Sequence, residues 1–264
     1  MNFNLHAAGV LAPGLASLAD LRAACDGSRP LVPAPLQVPS PAMLPAHERR
    51  RASQVVRLVL ACVAQALETS PFAPETLRSV FATDEGTGEV CHQMLEAVTT
   101  TRQVSPLVFP NSVHNAPSGY FSIAWRNREP ATVVSLGLES FASGLLCAVT
   151  DAVATRQPVL LVVYDPAMTS PLNELLTVNE PIACAWILSA GEPGAQALAS
   201  FSMELQAQGA LPSALPSWLP QAWSAHSSAR ALAALGLLET ADGECRFSLG
   251  SQVLALRRTD GTSA

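Results

Sequence analysis

The sequence contains no lysine, and charged residues make up only 14% of its 264 positions. All 15 basic residues are therefore arginines, and the 21 acidic residues outnumber them, which gives a formal net charge of -6. A protein that binds nucleic acid needs a basic patch or stripe to neutralise phosphates. The composition therefore predicts no nucleic-acid partner.

Paired cysteines and long apolar runs are also missing. The six cysteines lie far apart, without a CxxC pair or a His–Cys cluster at metal-ligand spacing. We therefore expect free thiols in a reducing compartment, no metal and no cofactor. The sequence has no apolar run of about 18 residues, and its N-terminus lacks the basic region and short apolar block of a secretion signal. These absences favour a cytoplasmic protein without a membrane span.

What the sequence does have is enough apolar residues, 49%, to bury a large core. Residues 27–45 are rich in proline and predict an extended surface loop, because proline fixes φ and removes a hydrogen-bond donor. Apolar residues recur near a 3.6-residue period over 48–68, which predicts a helix with a wide buried face.

The middle of the chain alternates strand-like and helix-like segments. Residues 77–83 form a β-type run, followed by a glycine-bearing turn and a helical pattern over 90–99. A strand over 131–137, a helix over 139–154 that is rich in small residues, and a continuous apolar strand over 159–164 come next. Such apolar strands are typical of parallel sheets covered by helices on both faces. The pattern predicts an α/β fold with a mixed, mainly parallel sheet and a buried central helix.

The last third of the chain continues with weaker patterns. They predict a strand over 182–190, a helix over 195–206, a second helix over 227–238 and a strand over 244–256. We expect two units, a main domain of residues 1–190 and an extension of residues 191–264 that packs on it.

Two stretches of sequence carry a resemblance to a known family. The first reads Phe109-Pro110-Asn111-Ser112-Val113-His114-Asn115-Ala116-Pro117-Ser118-Gly119, and the second, Ser140-Phe141-Ala142-Ser143-Gly144-Leu145-Leu146, begins the small-residue helix. In this order, and with the predicted strands around them, they resemble the N-terminal half of the β-ketoacyl synthases over residues 79–190. The residues of these two stretches are similar to those of the ketosynthase-like chain length factors of aryl polyene biosynthesis. The resemblance implies a thiolase-like half-fold.

The nucleophile of that family is absent. Ketosynthases carry a cysteine in the sharp turn before the central helix, where the helix N-terminus lowers the thiol pKa. The corresponding turn here contains no cysteine and comprises Leu138, Glu139, Ser140 and Phe141. Cys147 lies two turns into the helix and is expected in the core. His226 lacks the flanking pattern of the family's extender-binding histidines, so we expect it to cap a helix.

The resemblance therefore implies a non-catalytic subunit rather than an enzyme. It would form a heterodimer with an active β-ketoacyl synthase and meet the acyl carrier protein only indirectly. The loop residues expected at the interface or in the partner's pocket are His114, Asn115 and Gly119. The bulky candidates for closing an acyl tunnel and setting chain length are Phe141, Tyr120 and Phe121, although buried aromatics also pack in cores without any further role.

Two alternatives stay open from the residues alone. A small hydrolase of thioesters or esters could use Ser140 or Ser143 as nucleophile with His114 as base, oriented by Glu139 or Asp84. Neither serine lies in the G-x-S-x-G motif of a nucleophile elbow. A stand-alone acyl-binding module is the other alternative.

Overall fold

The computed structural model describes residues 1–175, 178–194, 196–207, 211–240 and 243–259. Its strands are β1 (Asn2–Leu11), β2 (Arg78–Ala82), β3 (Ala131–Val134), β4 (Val159–Asp165), β5 (Ile182–Ala190), β6 (Ala199–Gln206), β7 (Glu244–Leu249) and β8 (Gln252–Arg258). Its α-helices are α1 (Leu18–Cys25), α2 (Ala46–Arg51), α3 (Gln54–Glu68), α4 (Gly88–Thr100), α5 (Ala116–Trp125), α6 (Ser140–Thr155), α7 (Leu172–Leu175) and α8 (Ser227–Leu235).

These strands form one sheet in the order β3-β2-β4-β5-β1-β6-β8-β7. β2 pairs in parallel with β3 and β4, whereas the other five neighbouring pairs are antiparallel. The predicted mixed sheet flanked by helices is confirmed, but the prediction that it is mainly parallel is wrong. β1, β4 and β5 are buried along almost their whole length because helices cover both faces, and that burial does not depend on strand direction.

Two layers of helices cover the sheet. On one face α3 and α5 build a core with Val56, Val59 and Phe121, and on the other α6 and α8 build a second core with Phe141 and Trp186. The predicted helix over 48–68 is therefore present as α2 and α3, with its apolar face buried as expected.

The predicted buried central helix is α6. It packs on β2, β4 and β5. A Cβ atom at Gly144 would lie 2.6 Å from the Cβ atom of Ala82 in β2, closer than side chains pack. The small residues of this helix are thus a steric requirement, because the helix backbone lies directly against the sheet.

The last third of the chain differs from the prediction in two places. The segment predicted as a helix over 195–206 contains β6, because its backbone pairs with β1 on one side and β8 on the other, and this pairing overrides local helix preference; residue 195 lies outside the described residues. The strand predicted over 244–256 is a hairpin of β7 and β8 that turns at Gly250, at φ 60°.

The proposed boundary at residue 190 stays a prediction. β6, β7 and β8 come from the expected extension, yet they continue the same sheet beyond β1. α8, also from the extension, packs directly on β4 and β5.

Candidate functional site

The turn between β3 and α6 is where the family would place its nucleophile. Gly137 has φ 56°, a left-handed conformation that favours glycine. After it, Leu138 is 40% exposed, whereas Ser140 and Phe141 are fully buried. The first residues of α6 are therefore sealed from solvent.

The hydroxyl of Ser140 has a structural task. Its Oγ accepts a hydrogen bond from the backbone N–H of Leu136 at 2.9 Å. It lies 2.9 Å from the carbonyl oxygen of Thr83 and 2.7 Å from that of Gly137, to which the hydroxyl can donate. Ser140 thereby ties the turn to the end of β2, and no general base contacts its Oγ among the described residues.

The backbone N–H of Phe141 is also occupied. It donates to the Oγ of Ser227, the first residue of α8, at 2.7 Å in a buried position. The Phe141 ring packs edge-on against Phe247 and Trp186, with ring centroids 4.9 Å and 5.6 Å away. A helix N-terminus can hold an oxyanion only through free N–H groups, and here a hydroxyl and an aromatic cluster fill that position.

Glu139 connects the same turn to the β7–β8 hairpin. Its carboxylate accepts hydrogen bonds from Ser248 Oγ and Gly250 N, both at 2.9 Å. It therefore does not orient a histidine, as the hydrolase alternative would require.

A buried carboxylate, Asp165, joins the loops around the turn. Its Oδ1 accepts from the backbone N–H of Asp84 at 2.8 Å, and its Oδ2 accepts from the N–H and the Oγ of Ser228 at 2.9 and 2.6 Å. The N-terminus of α8 thus stabilises the charge of Asp165. This network fixes the ends of β2 and β4 against α8.

Asp84 lies beside this network, in an environment that disfavours its ionised carboxylate. Partial burial, together with the nearby charges of Asp165 and Glu85, raises its pKa to about 6, and Arg230 opposes the shift. The carboxyl of Asp84 faces the turn, since a Cβ at Gly137 would lie 3.7 Å from its Oδ1.

His226 does not cap α8 as the sequence suggested. Its side chain is 1% exposed, occupies the N-cap position and makes no capping hydrogen bond. Its Nε2 instead accepts from the backbone N–H of Asn179 at 3.3 Å. Burial lowers its pKa, against the opposing effect of Asp165, and this favours the neutral ring. Asp165 caps α8 instead, because its Oδ2 accepts the hydrogen bonds of the Ser228 N–H and Oγ.

The structure does not assemble the hydrolase alternative. His114 is exposed and lies against Gly86, where a Cβ would come within 2.6 Å of its ring. Ser143 is buried, and its Oγ has no hydrogen-bond partner among the described residues. The Ser140 hydroxyl bonds to backbone groups, and the Ser143 hydroxyl bonds to nothing among the described residues. Neither serine is therefore hydrogen-bonded to His114.

The end of the loop before α5 and the first turn of α5 expose residues to solvent. Asn115 and Gly119 are exposed, and a Cβ at Gly119 would meet nothing within 4 Å. With His114, they form an accessible surface ahead of β3.

The three aromatic tunnel candidates do not lie together. Phe141 belongs to the core between the sheet and α6, whereas Tyr120 and Phe121 belong to the core on the opposite face. The sheet separates the two groups, so they cannot line a single cavity within this chain. Cys147 packs against the α6 core but is only half buried, and burial and Asp151 raise its pKa.

Sequence reasoning missed Ser227, Ser228 and the role of Asp165. A carboxylate directly after a fully apolar strand was a usable signal, because a buried charge demands hydrogen-bond donors. The two serines at the start of a predicted helix were typical positions for such donors.

One edge of the sheet, β3, is open. The Val134 carbonyl accepts from the Thr83 N–H at 3.1 Å, so Val134 faces β2. Backbone groups alternate in direction along a strand, and those of Ala131 and Val133 therefore point away from β2. No strand pairs with them in the part of the chain that is described.

Eight exposed apolar side chains lie in the segments that precede and follow β3 in the sequence. They are Leu95, Val98, Leu107, Phe109, Val113, Ile123, Leu136 and Leu138. α4 contributes two of them and has a single buried residue, Val90. Exposed apolar residues gathered in this way mark interaction surfaces.

No metal site is visible within the described ranges, since they hold no group of three or more His, Cys, Asp or Glu side chains that could bind an ion. One segment, Gly137–Thr155, has the length and composition of a membrane span, and half of it is buried. This segment includes α6, which packs on the sheet as a core helix.

Several solved structures share this architecture. A chain of the complex of the ketosynthase ApeO with its chain length factor ApeC from Xenorhabdus doucetiae aligns with a TM-score of 0.74 at 23% identity, covering 98% of this chain and 100% of that one. A chain of the ishigamide ketosynthase/chain length factor gives 0.75 at 13% identity, covering 98% and 99%. A β-ketoacyl synthase from Burkholderia phymatum gives 0.68 at 12%, again covering 98% and 99%. At these identities the matches show the thiolase-like fold.

Among curated proteins, no sequence matches this chain. The family model described as "Beta-ketoacyl synthase, N-terminal domain" matches residues 26–236, which is most of the chain. The match includes α3, the turn before α6, β4 and the start of α8. The chain therefore belongs to the β-ketoacyl synthase N-terminal domain family.

Proposed function

We propose that this chain is a non-catalytic, cytoplasmic chain length factor that pairs with an active β-ketoacyl synthase and shapes its acyl tunnel in aryl polyene biosynthesis. The observation that carries the proposal is the occupied N-terminus of α6. The Ser227 hydroxyl holds the Phe141 N–H there, and no cysteine lies in the turn.

Cys147, the cysteine nearest the turn in the sequence, does not replace the missing nucleophile. The thiolate is the reactive form of cysteine, and burial and Asp151 raise the pKa of Cys147. Cys147 also lies about two turns into α6, away from the turn. A condensing reaction therefore needs the cysteine of a partner.

The open edge of the sheet supports a partner. An unpaired strand edge with apolar surroundings is a template for another chain. Two of the structural relatives are named as assemblies of a ketosynthase with a chain length factor. In our proposal β3 meets the partner's sheet edge to edge, and the exposed loop with His114, Asn115 and Gly119 reaches the partner's pocket.

The aromatic candidates keep separate roles in this proposal. Tyr120 and Phe121 lie on α5 between the exposed residues Gly119 and Ile123, so they are placed to influence a tunnel at the interface. Phe141 lies on the opposite face of the sheet from these two residues. There it packs against Phe247 and fills the position at which ketosynthases carry their cysteine.

The test is co-expression of the full chain with an active β-ketoacyl synthase from the same organism. We expect the two to co-purify as a heterodimer. After incubation with acyl-loaded carrier protein, intact-mass measurement should show the acyl group on the partner alone. The matched control replaces the partner's nucleophilic cysteine with alanine, which should remove all acylation. An acyl adduct on this chain, or a clean monomer at micromolar concentration, would contradict the proposal.

A further inference from the structure

A cavity of about 290 Å³ lies on the α3 side of the sheet, beyond the end of β4. Three segments supply its apolar wall: the proline-rich stretch with Leu36 and Val38, α3 with Val55 and Leu58, and the segment after β4 with Pro166 and Ala167. The turn before α6 and the loop before α5 contribute nothing to this wall. The tunnel candidates Tyr120, Phe121 and Phe141 do not line this cavity, so the inference does not depend on the proposed function.

Two hydrogen-bonding side chains from α3 face this cavity. Gln54 and Arg57 are three residues apart, so they are neighbours on one side of the helix. Arg57 Nε donates to the carbonyl oxygen of Ala52 at 3.1 Å. Its terminal nitrogens have no hydrogen-bond or carboxylate partner among the described residues. An arginine in this state offers a planar pair of donors to an incoming carboxylate.

A carboxyl group, Glu89 in the first turn of α4, also lines the cavity. It accepts one long hydrogen bond, 3.3 Å, from Gln93 and forms no ion pair with Arg57. Partial burial raises its pKa. Two opposite charges thus share one cavity without neutralising each other, and Arg57 stays available.

We propose that this cavity binds a small carboxylic acid with a short apolar chain, its carboxylate on Arg57 and Gln54 and its chain against Val55 and Leu58. The volume is close to the lower end of the range for small-molecule sites, roughly 300 to 1,000 Å³. This size selects a short ligand, and a wall that combines the polar groups of Gln54 and Arg57 with apolar side chains selects a molecule with one charged end and one apolar chain.

The test is calorimetric titration of the full chain with octanoate. Arg57→Gln should weaken binding by about tenfold or more, because it removes a charge-assisted pair. Glu89→Gln should strengthen it by about twofold, because it removes the opposing carboxylate. Arg128→Gln is the matched control. It removes the same charge from an exposed arginine just ahead of β3, outside the cavity, and should leave binding unchanged.

A second variant and a second ligand keep the test decisive. Ala167→Trp should abolish octanoate binding by filling the cavity, with thermal unfolding confirming that the variant is folded. Octylamine, with the opposite charge on the same chain, should bind more weakly than octanoate. Absence of octanoate binding at millimolar concentration, binding that Arg57→Gln leaves intact, or a preference for octylamine would each overturn the proposal.

Discussion

The two edges of the sheet are built in opposite ways. β7 is closed: the Arg246 N–H donates to Ser213 Oγ at 2.9 Å, and the Arg246 carbonyl accepts from the Ser213 N–H at 2.7 Å. Glu244 adds ion pairs with Arg246 at 3.1 Å and with Arg257 at 2.6 Å. β3, with the sequence Ala-Thr-Val-Val, carries no charge, and no other strand pairs with its outer side within the described ranges.

This difference is what we expect if a partner covers the open edge, as proposed above. Soluble proteins protect sheet edges with charges, loops or short strands, because a free edge invites unwanted pairing. β7 is protected by a loop and by ion pairs, whereas only the short length of β3, four residues, protects the other edge, as our proposal of a partner at β3 requires. Three predictions test this comparison.

The largest effect is expected at the open edge. Val133→Pro removes an outward N–H while leaving the hydrogen bonds to β2 in place, because those belong to the neighbouring residues. We expect the affinity for the partner to fall about a hundredfold, roughly 2.7 kcal/mol, as measured by sedimentation of the mixed proteins. The control, Val133→Thr, keeps the N–H and the branched shape and should pair normally. Unchanged pairing of the proline variant would remove β3 from the interface.

The converse change at β7 should affect folding and not pairing. Arg246→Pro removes the N–H that reaches Ser213, and we expect the free energy of unfolding in urea to fall by about 2 kcal/mol. Arg246→Ala keeps that N–H and loses only an exposed ion pair, so about 0.5 kcal/mol is expected. If Arg246→Pro weakened association with the partner instead, the two edges would not have the separate roles inferred here.

The smallest expected effect is a pH-dependent change in stability, which arises from the different surroundings of the carboxyl groups near the two edges. Glu244 has two arginine partners, whereas the pKa of Asp84, just after β2, is raised from its ordinary value of 3.8 to about 6. Because the folded state holds the Asp84 proton more tightly, stability falls as pH rises from about 4 to about 6.

Asp84→Asn should therefore stabilise the protein at pH 8 and have little effect at pH 4. The gain at pH 8 should be about 1 kcal/mol, a value reduced from the full shift because Asp84 is partly exposed. Urea unfolding at both pH values measures it, with the exposed Glu75→Gln as control. An equal effect of Asp84→Asn at the two pH values would show that it does not arise from ionisation.

The sequence predicted those features of the fold that depend on neighbouring residues and few of those that depend on contacts between distant segments. The period of α3, the small residues of α6 and the apolar run of β4 each depend on neighbours in sequence, and the structure confirms them. Strand direction does not, because an apolar strand looks the same in a parallel and an antiparallel pair. β6 was missed for the same reason, since its partners are β1 and β8.

The candidate site shows the same division. The absence of a cysteine before α6 could be read directly. The contact that fills the vacated position could not, because Phe141 and Ser227 are 86 residues apart. Asp165 and Ser228, 63 residues apart, were equally invisible as a pair, although each stood at a recognisable end of an element.

The hydrogen bond from Phe141 to Ser227 also bears on whether a single substitution could place a working nucleophile in the turn before α6. A thiol introduced by a single change in the turn would face an amide that is already engaged and a pocket filled by Phe247 and Trp186. A thiol there would gain a free backbone N–H only if α8 released its serine at the same time, so one substitution in the turn does not create an oxyanion site. If the chain is the non-catalytic subunit that we propose, its lack of activity rests on the packing of α8 against α6 as well as on the missing cysteine.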